Sequence, residues 1–472
     1  MPYFNIESHE TYILYLNDIW NDITHQRHPW YGFKTNNFYS YSLVASDELL
    51  SCNDEPCSQD FALGTGSVIK RENIYYAFYT GHNPNYPSWC VKRKEGIMLA
   101  TSPSLTVKFT KNSTFTTLYA PLGHGFDEYD NFRDPFVFYD DFSKQYNLIV
   151  SARTSRGVIV QYTSFDLFNW SYKGVIYDGG LTNFFMMETP DLFKIGDIYY
   201  LLFSDIDSKN VYYRKSFSLS GPWTSPIEDT IRFDGNGFYG AKVIVDNHGD
   251  HYIFGWTNRL NDNSDTGSWL WGGNLVVHKL YQIDSTKDLA VTIPHTLKSY
   301  LEKYNEPIVK HSHWGNVTIS RSDTSSYHLS SSSDTDIANV LFNSINLNRY
   351  KISATVSYDR SAKDFGFMFA VCDGYENFYS LRFVPSQNRF SFDKIKRSSL
   401  TNTTMASSDV PFTFVANTDI SIHIIIENSM VVTYLNHRVA LSARIYRAPK
   451  SSWGIFVDNT SATFKSLTVT KP

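Results

Sequence analysis

Two carboxylates and an arginine stand out because each heads an otherwise apolar segment. Arg133 and Asp134 precede PFVFY, and Glu188 precedes TPDLF. Carboxyl groups can give and take protons, and an arginine beside them can orient them through paired hydrogen bonds. Thr65 and Tyr239 lie at the heads of two further segments of this kind. Taken singly, each would more often be a solvated turn residue, but together they predict one convergent polar site.

The elements that must position these residues come from an internal repeat. An aromatic-rich segment ending in a small or polar residue occurs five times, as TYILYLND, IYYAFYTG, QYNLIVSA, IYYLLFSD and HYIFGWTN. Each copy follows another strand-like segment, and most are followed by an outer hairpin. This repeat predicts an all-β fold that begins with a five-bladed β-propeller over residues 1–290. The alternative is a run of unrelated β-hairpins.

The second part of the chain has a different pattern. HTLKSYLEKYNEP (295–307) predicts a short helix within a linker that spans residues 291–308. From 309 to 472, seven or more alternating segments separated by Ser/Asn/Asp-rich turns predict a β-sandwich. Within it, the polar stretch SSYHLSSSSDTD (325–336) is predicted to be a loop.

Composition excludes several functions. The net charge is −5 and there is no long basic run, which argues against nucleic-acid binding. No stretch approaches 18 apolar residues, so no membrane span is predicted. The first ten residues lack the charged and apolar regions of a signal peptide, so none is predicted.

The cysteines and aromatic residues narrow the kind of site. No pair of the four cysteines has CxxC spacing, so neither a zinc site nor any other metal site is predicted. Cys52 and Cys57 either bridge a small loop or remain free thiols. Aromatic residues make up 16% of the chain, which suits strands and also the walls of sugar pockets.

Four segments together carry a family resemblance. They are LGTGSVI (63–69), FRDPFVF (132–138), METPDLF (187–193) and FGWTNRLNDNSDTGSWLWGGNL (254–275). Through them the chain resembles glycoside hydrolase family 32, the β-fructosidases, over nearly its whole length. The resemblance implies a retaining glycosidase that cleaves terminal β-D-fructofuranosyl units from sucrose or fructans. It implies sucrose, a fructo-oligosaccharide or a fructan as the partner, and it implies no metal and no organic cofactor.

The resemblance also implies separate roles for the site residues. Glu188 corresponds to the general acid/base and Asp134 to a carboxylate that stabilises the transition state, with Arg133 orienting them. Thr189 stands where the family usually has cysteine. Further sugar contacts are expected from Trp30, Thr65, Tyr239 and Trp256. For the three aromatic residues, the alternative role is core packing.

One family residue is missing from the expected place. The nucleophilic aspartate of the family belongs at the start of the first inner strand, and counting back from Leu16 puts it one position before Met1. Three explanations stay open: an upstream residue, a sugar-binding relative without activity, or a substitute such as Asp18 or Asp22. A five-bladed inverting hydrolase of the arabinosidase type is a rival reading of the same repeat.

Overall fold

A computed structural model of the chain describes residues 1–17, 27–227, 231–319, 325–331, 337–359, 363–372, 377–394, 408–446 and 451–472. The chain divides into two compact units, residues 1–225 with 240–254 and residues 226–239 with 255–472. The boundaries predicted from the sequence, at 290 and 309, stay predictions.

The first two sheets each have four antiparallel strands in sequence order. The first contains β1 (Pro2–Asn5), β2 (Glu10–Leu16), β3 (Trp30–Thr35) and β4 (Ser42–Leu43). The second contains β5 (Ala62–Arg71), β6 (Ile74–His82), β7 (Glu95–Ser102) and β8 (Thr110–Lys111). Each sheet is one blade, and its first strand is the inner strand that the repeat predicts.

Three further sheets complete the propeller and confirm the five-bladed prediction. The third contains β9 (Arg133–Asp140), β10 (Gln145–Arg153), β11 (Gly157–Ser164) and β12 (Ser171–Tyr177). The fourth contains β13 (Met187–Ile195), β14 (Ile198–Asp205) and β15 (Val211–Ser216). The fifth contains β16 (Tyr239–Val245), β17 (His251–Leu260), β18 (Trp269–Gln282) and β19 (Leu289–Thr292).

The aromatic repeat segments are the second strands of the blades, and both faces of each are apolar. In β6, Tyr75, Ala77 and Tyr79 join the hydrophobic cluster shared with the first blade. Phe78 points the other way and joins the cluster shared with the third blade. Successive side chains of a strand point to opposite faces, so a strand packed between two blades must be apolar throughout. Large rings fill the space between neighbouring sheets, which accounts for the high aromatic content.

The C-terminal part forms two packed sheets, as predicted for a sandwich. One sheet contains β20 (Tyr304–Glu306), β22 (Asn316–Ile319), β23 (Tyr327–Ser330), β25 (Arg349–Tyr358), β30 (Ile420–Glu427), β31 (Met430–Leu435), β32 (Val439–Arg444) and β34 (Ser461–Lys471). The other contains β21 (Lys310–Trp314), β24 (Ile337–Phe342), β26 (Asp364–Cys372), β27 (Asn377–Val384), β28 (Arg389–Asp393), β29 (Ser408–Pro411) and β33 (Trp453–Asp458). Alternate residues of both sheets build one buried core.

The predicted short helix, α1, spans His295–Leu301, after which the chain turns into β20, which pairs with β34. One local prediction in this region needs correction. The stretch predicted as a loop contains β23, since Tyr327 and Leu329 are buried and the strand pairs with both β22 and β34. Within the described residues, no helix is long and apolar enough to cross a membrane.

The disulfide differs from the pairing considered from the sequence. Cys57 is bonded to Cys90, which closes a loop over a separation of 33 residues. Cys52 is a free thiol, and its Sγ donates to the carbonyl oxygen of Arg27 at 2.7 Å. The Cys52–Cys57 bridge is therefore wrong, because Cys57 belongs to a turn that faces the loop after β6.

Replacing Phe78 tests the packing between blades. Phe78→Ala removes a fully buried ring from the cluster between the second and third blades, so the free energy of unfolding should fall by about 3–5 kcal/mol. Phe142→Ala is the control, because Phe142 is 96% exposed on the turn between β9 and β10. Urea unfolding followed by tryptophan fluorescence measures both. Equal stability of the two variants would contradict this account of the propeller.

Candidate active site

The same backbone irregularity heads three successive inner strands. In each case the inner strand advances by three residues while the neighbouring strand advances by two, so the inner strand has one extra residue and forms a β-bulge. The flanking register pairs are Leu63–Gly81 and Gly66–Tyr79, Arg133–Ser151 and Phe136–Ile149, and Glu188–Ser204 and Asp191–Leu202. Arg133 and Glu188 thus occupy equivalent positions of neighbouring bulges, and this places their side chains next to each other.

The arginine joins two carboxylates. Arg133 donates to Oε1 of Glu188 from Nη2 at 2.8 Å and from Nε at 3.1 Å. Its Nη1 donates to Oε2 of Glu95 at 3.2 Å. Glu95 is 6% exposed, whereas the Arg133 and Glu188 side chains are 16% and 17% exposed. Arg133 and Glu188, both singled out from the sequence, are therefore in contact, and Arg133 also binds a second, more deeply buried carboxylate, Glu95.

Glu95 is held in its charged form. Burial alone would raise the pKa of Glu95, but the charge of Arg133 and the hydrogen bond with His82 outweigh burial and lower it to about 2. The amide of Phe132 also donates to Glu95, at 3.0 Å. In return, the carboxylates of Glu95 and Glu188 raise the pKa of Arg133 despite its burial. The guanidinium is thus fixed in position and charge beside Glu188.

Asp134 lies one residue further into the bulge and is 3% exposed. Burial and the nearby negative charge of Glu188 raise the pKa of Asp134, and Arg133 opposes that shift. One oxygen, Oδ2, accepts the amide hydrogen of Thr189 at 2.9 Å. Asp134 is therefore a buried carboxylate fixed by the backbone of the neighbouring blade.

Asp134 and Thr189 both adopt positive φ angles, 60° and 49°. Such angles cost roughly 1–3 kcal/mol for residues with a Cβ and persist only where the surroundings hold them. Here each amide has a specific acceptor: the Thr189 amide donates to Asp134, and the Asp134 amide donates to Oγ1 of Thr80 at 2.9 Å. Because the neighbour uses the backbone of residue 189, the presence of threonine instead of the family cysteine leaves this contact intact.

A second buried pair of charged residues, Asp191 and Lys242, lies further along the inner strands β13 and β16. Asp191 and Lys242 are 1% and 4% exposed, and burial raises the pKa of Asp191 to about 6 although Lys242 opposes it. Burial likewise lowers the pKa of Lys242. Lys242 donates from Nζ to the carbonyl oxygen of Pro190 at 2.8 Å, and the amide of Val243 donates to Asp191. These contacts tie the inner strands β13 and β16 together.

The other predicted sugar contacts fall in different places. The carbonyl oxygen of Thr65 accepts a hydrogen bond from Oγ1 of Thr80 at 2.9 Å, and the same Oγ1 accepts the amide hydrogen of Asp134. Thr65 is thus linked to Asp134 through Thr80. Trp30 is fully buried, packs against Tyr79 and donates from Nε1 to the carbonyl oxygen of Gly64 at 3.0 Å. Its role as a sugar contact stays a prediction beside this packing role.

Tyr239 and Trp256 belong to the second unit, where their rings pack edge to face with centroids 5.6 Å apart. Their contact with the sugar stays a prediction. Asp18 and Asp22, considered as substitute nucleophiles, lie outside the described residues. Over the described ranges, no group of three or more His, Cys, Asp or Glu side chains is arranged to hold a metal ion.

Sequence profiles assign this site to a family. The profile described as "Glycosyl hydrolases family 32 N-terminal domain" matches residues 5–292. The chain belongs to glycosyl hydrolase family 32. The profile of the family 32 C-terminal domain of the BT1760-like type matches residues 299–469.

Individual relatives are distant. A raffinose invertase of Escherichia coli is 25% identical over 233 residues, 45% of this chain and 46% of that protein. A sucrose-6-phosphate hydrolase of Staphylococcus xylosus is 25% identical over 274 residues, 54% of this chain and 52% of that protein. The matches thus span about half the length of these curated relatives.

Solved structures share the fold over nearly the whole chain. The structure of fructan 1-exohydrolase IIa from Cichorium intybus superposes with a TM-score of 0.73 at 14% sequence identity. It covers 98% of this chain and 92% of that one. The family 32 chain therefore has the fold of that enzyme, a propeller followed by a sandwich.

Sequence reasoning missed Glu95, Asp191 and Lys242. Glu95 heads β7, the third strand of its blade, whereas the sequence pattern drew attention only to residues at the heads of inner strands. Asp191 and Lys242 interrupt the otherwise apolar segments TPDLF and YGAKVIV, and a charge inside an apolar strand is a usable signal.

Replacing Glu95 tests the charge network, which consists of His82, Glu95, Arg133 and Glu188. Glu95→Gln should lower the free energy of unfolding at pH 7 by up to ~3 kcal/mol, because it removes a carboxylate whose pKa is about 2 instead of the ordinary 4.5. Because the pKa of Glu95 is lower in the folded state than in the unfolded state, the charged carboxylate stabilises the fold fully at pH values above 4.5. That stabilisation is lost as the pH falls towards 2. The gap between variant and parent should therefore narrow below pH 4.5.

Urea unfolding at pH 7 and at the lowest pH that keeps the protein folded measures that gap. Glu7→Gln is the matched control, because Glu7 is a largely exposed carboxylate that pairs with Lys70 on the surface. A gap that is the same at both pH values would contradict the assigned ion pair.

Proposed function

We propose that this family 32 chain is a retaining β-fructosidase that cleaves terminal β-D-fructofuranosyl units from sucrose or fructans. The observation that supports it most directly is the contact of Arg133 with Glu188 beside the fixed carboxylate of Asp134. The names of the relatives, a raffinose invertase and a sucrose-6-phosphate hydrolase, agree with a fructosyl substrate. Carboxylates and water suffice for the chemistry.

The bond that breaks joins the anomeric carbon of fructose to the leaving-group oxygen. Glu188 donates its proton to that oxygen, and a nucleophilic carboxylate forms a covalent fructosyl intermediate. Glu188 then takes a proton from water, and the water oxygen replaces the nucleophile at the anomeric carbon. The second displacement restores the starting configuration of the sugar.

Asp134 and Arg133 support these steps. The transition state resembles an oxocarbenium ion, so a negative charge fixed by the Thr189 amide stabilises it without reorganisation. Arg133 holds Glu188 at Oε1 and is itself held by Glu95, so the acid/base carboxyl keeps one orientation. Arg133 is thus a positioning residue.

The nucleophile is the part of the proposal that needs a dedicated assay. The candidates for this aspartate are Asp18, Asp22 and a residue upstream of Met1. Release of fructose from sucrose and inulin should therefore be compared between the 472-residue chain and a chain extended by its upstream codons. Binding of fructose by both chains without release from either would favour the alternative, a sugar-binding relative without activity.

Two substitutions test the assigned roles. Glu188→Gln and Asp134→Asn should each lower kcat for sucrose by about 10²- to 10⁴-fold with little change in KM, because each removes a group that acts in the transition state. Glu7→Gln should leave kcat unchanged. Unchanged turnover in Glu188→Gln would overturn its assignment.

The anomer formed first separates this mechanism from the rival. Proton NMR of the nascent product should show β-fructofuranose before mutarotation, because two displacements retain configuration. An initial α-anomer would identify the inverting chemistry of the arabinosidase-type alternative.

A further inference from the structure

Three exposed aromatic rings lie on loops that lead into the strands carrying Glu95, Arg133 and Glu188, and they have no part in the mechanism above. Trp89, Tyr129 and Phe185 are 85%, 58% and 42% exposed. A single exposed ring is ordinary on a protein surface. These three, however, lie on the loops that lead into the network, defined as the Trp89 loop (83–94), the Tyr129 loop (121–132) and the Phe185 loop (178–186). The loops end next to Glu95, Arg133 and Met187–Glu188, respectively.

The Trp89 loop has a rigid base. His82, the last residue of β6, pairs with Glu95, the first residue of β7, and the amide of Asn83 donates to the carbonyl oxygen of Lys94 at 2.8 Å. Nδ2 of Asn83 donates to the carbonyl oxygens of Pro56 and Ser58. The loop therefore rises directly from two residues of the network and rests on the segment that precedes β5.

The tip of the same loop is covalently fixed. Trp89 precedes Cys90, which is bonded to Cys57. Around the indole, the amide of Ser88 donates to the carbonyl oxygen of Val91, and the amide of Val91 donates to Oγ of Ser88. An exposed ring on a cross-linked turn loses little conformational freedom when a ligand binds, and this favours affinity.

Contacts also link the three loops. The amide of Lys94 donates to the carbonyl oxygen of Tyr129 at 2.7 Å. The amide of Asp127 donates to the carbonyl oxygen of Arg153 at 2.7 Å, and the Arg153 guanidinium lies 4.4 Å from the centroid of the Phe185 ring. The Trp89 and Tyr129 loops are thus joined directly, and the Phe185 loop is joined to them through Arg153.

We propose that Trp89 is the platform on which a second or third sugar ring stacks when a neutral oligosaccharide places its terminal fructosyl unit at Glu188 and Asp134. Tyr129 and Phe185 extend this surface. The inference rests on the proposed function and adds the residue that would favour chains of three or more sugars over sucrose. A sugar ring offers an apolar C–H face to the indole while its hydroxyls stay in water.

The charges of the Trp89 loop favour a neutral ligand over a phosphorylated one. Each cation of the loop already has a partner within the first unit. Lys94 pairs with Asp130 at 3.1 Å, Lys92 donates to the carbonyl oxygen of Ser88, and Arg93 lies over the Tyr119 ring. Sucrose 6-phosphate is therefore included in the test as the competing substrate.

The test compares sucrose, sucrose 6-phosphate, 1-kestose and nystose. Trp89→Ala should lower kcat/KM for nystose by roughly 5- to 10-fold and leave the value for sucrose within about twofold, because only the longer chain reaches the ring. Trp89→Phe should retain most of the nystose activity. Phe142→Ala, which removes an exposed ring at the far end of the third blade, should change neither.

A binding measurement makes the test independent of turnover. In the Glu188→Gln background, Trp89→Ala should weaken nystose binding by the same factor in calorimetry and leave fructose binding unchanged. Weakened nystose binding without hydrolysis by either the parent chain or the chain extended upstream would support the platform and refute the proposed activity. Hydrolysis with equal effects of Trp89→Ala on sucrose and nystose, no effect on either, or a selective loss of sucrose 6-phosphate would overturn the platform alone. Failure of the chain to bind either sugar would overturn both.

Discussion

The buried guanidinium of Arg133 is the interaction on which the rest of the site depends. A cation at this depth is stable only with carboxylates around it, and Glu95 and Glu188 supply them from two different blades. Glu95 is the inner partner and stays ionised, so Glu188 is free to serve chemistry at the more exposed end. The second, third and fourth blades therefore meet at two ion pairs that share Arg133, and the pair with Glu188 sets the direction of the acid/base carboxyl.

Repetition of the bulge explains how an all-β scaffold brings these groups together. A regular strand would turn alternate side chains away from the mouth, whereas one extra residue in each of the inner strands β5, β9 and β13 redirects the head of its blade. The same step gives Asp134 and Thr189 equivalent backbone conformations and sets the amide of one blade against the side chain of the previous one. Strain at these positions is thus matched by hydrogen bonds between blades.

The sequence predicted the five blades because both faces of each aromatic segment must be apolar, a property visible in strings such as IYYAFYTG. It also predicted that Arg133 and Glu188 lie together. It did not reveal Glu95, because its importance arises from a neighbouring blade, nor the Cys57–Cys90 pairing, because two loops distant in sequence meet only in the fold. Burial of Trp30 was likewise beyond prediction, since a pocket wall and a core have the same composition.

The hydrogen bond from the Thr189 amide to Asp134 has a consequence for how such chains diverge. Asp134 serves architecture as well as chemistry because its side chain accepts the Thr189 amide hydrogen, whereas the Glu188 side chain is bonded to the Arg133 guanidinium. A descendant that lost turnover could replace Glu188 only by a residue that still bonds to Arg133, but it would have to keep Asp134 to hold its blades in register. An intact arginine-aspartate-proline signature therefore reports a sound scaffold, and only the glutamate reports a working catalyst.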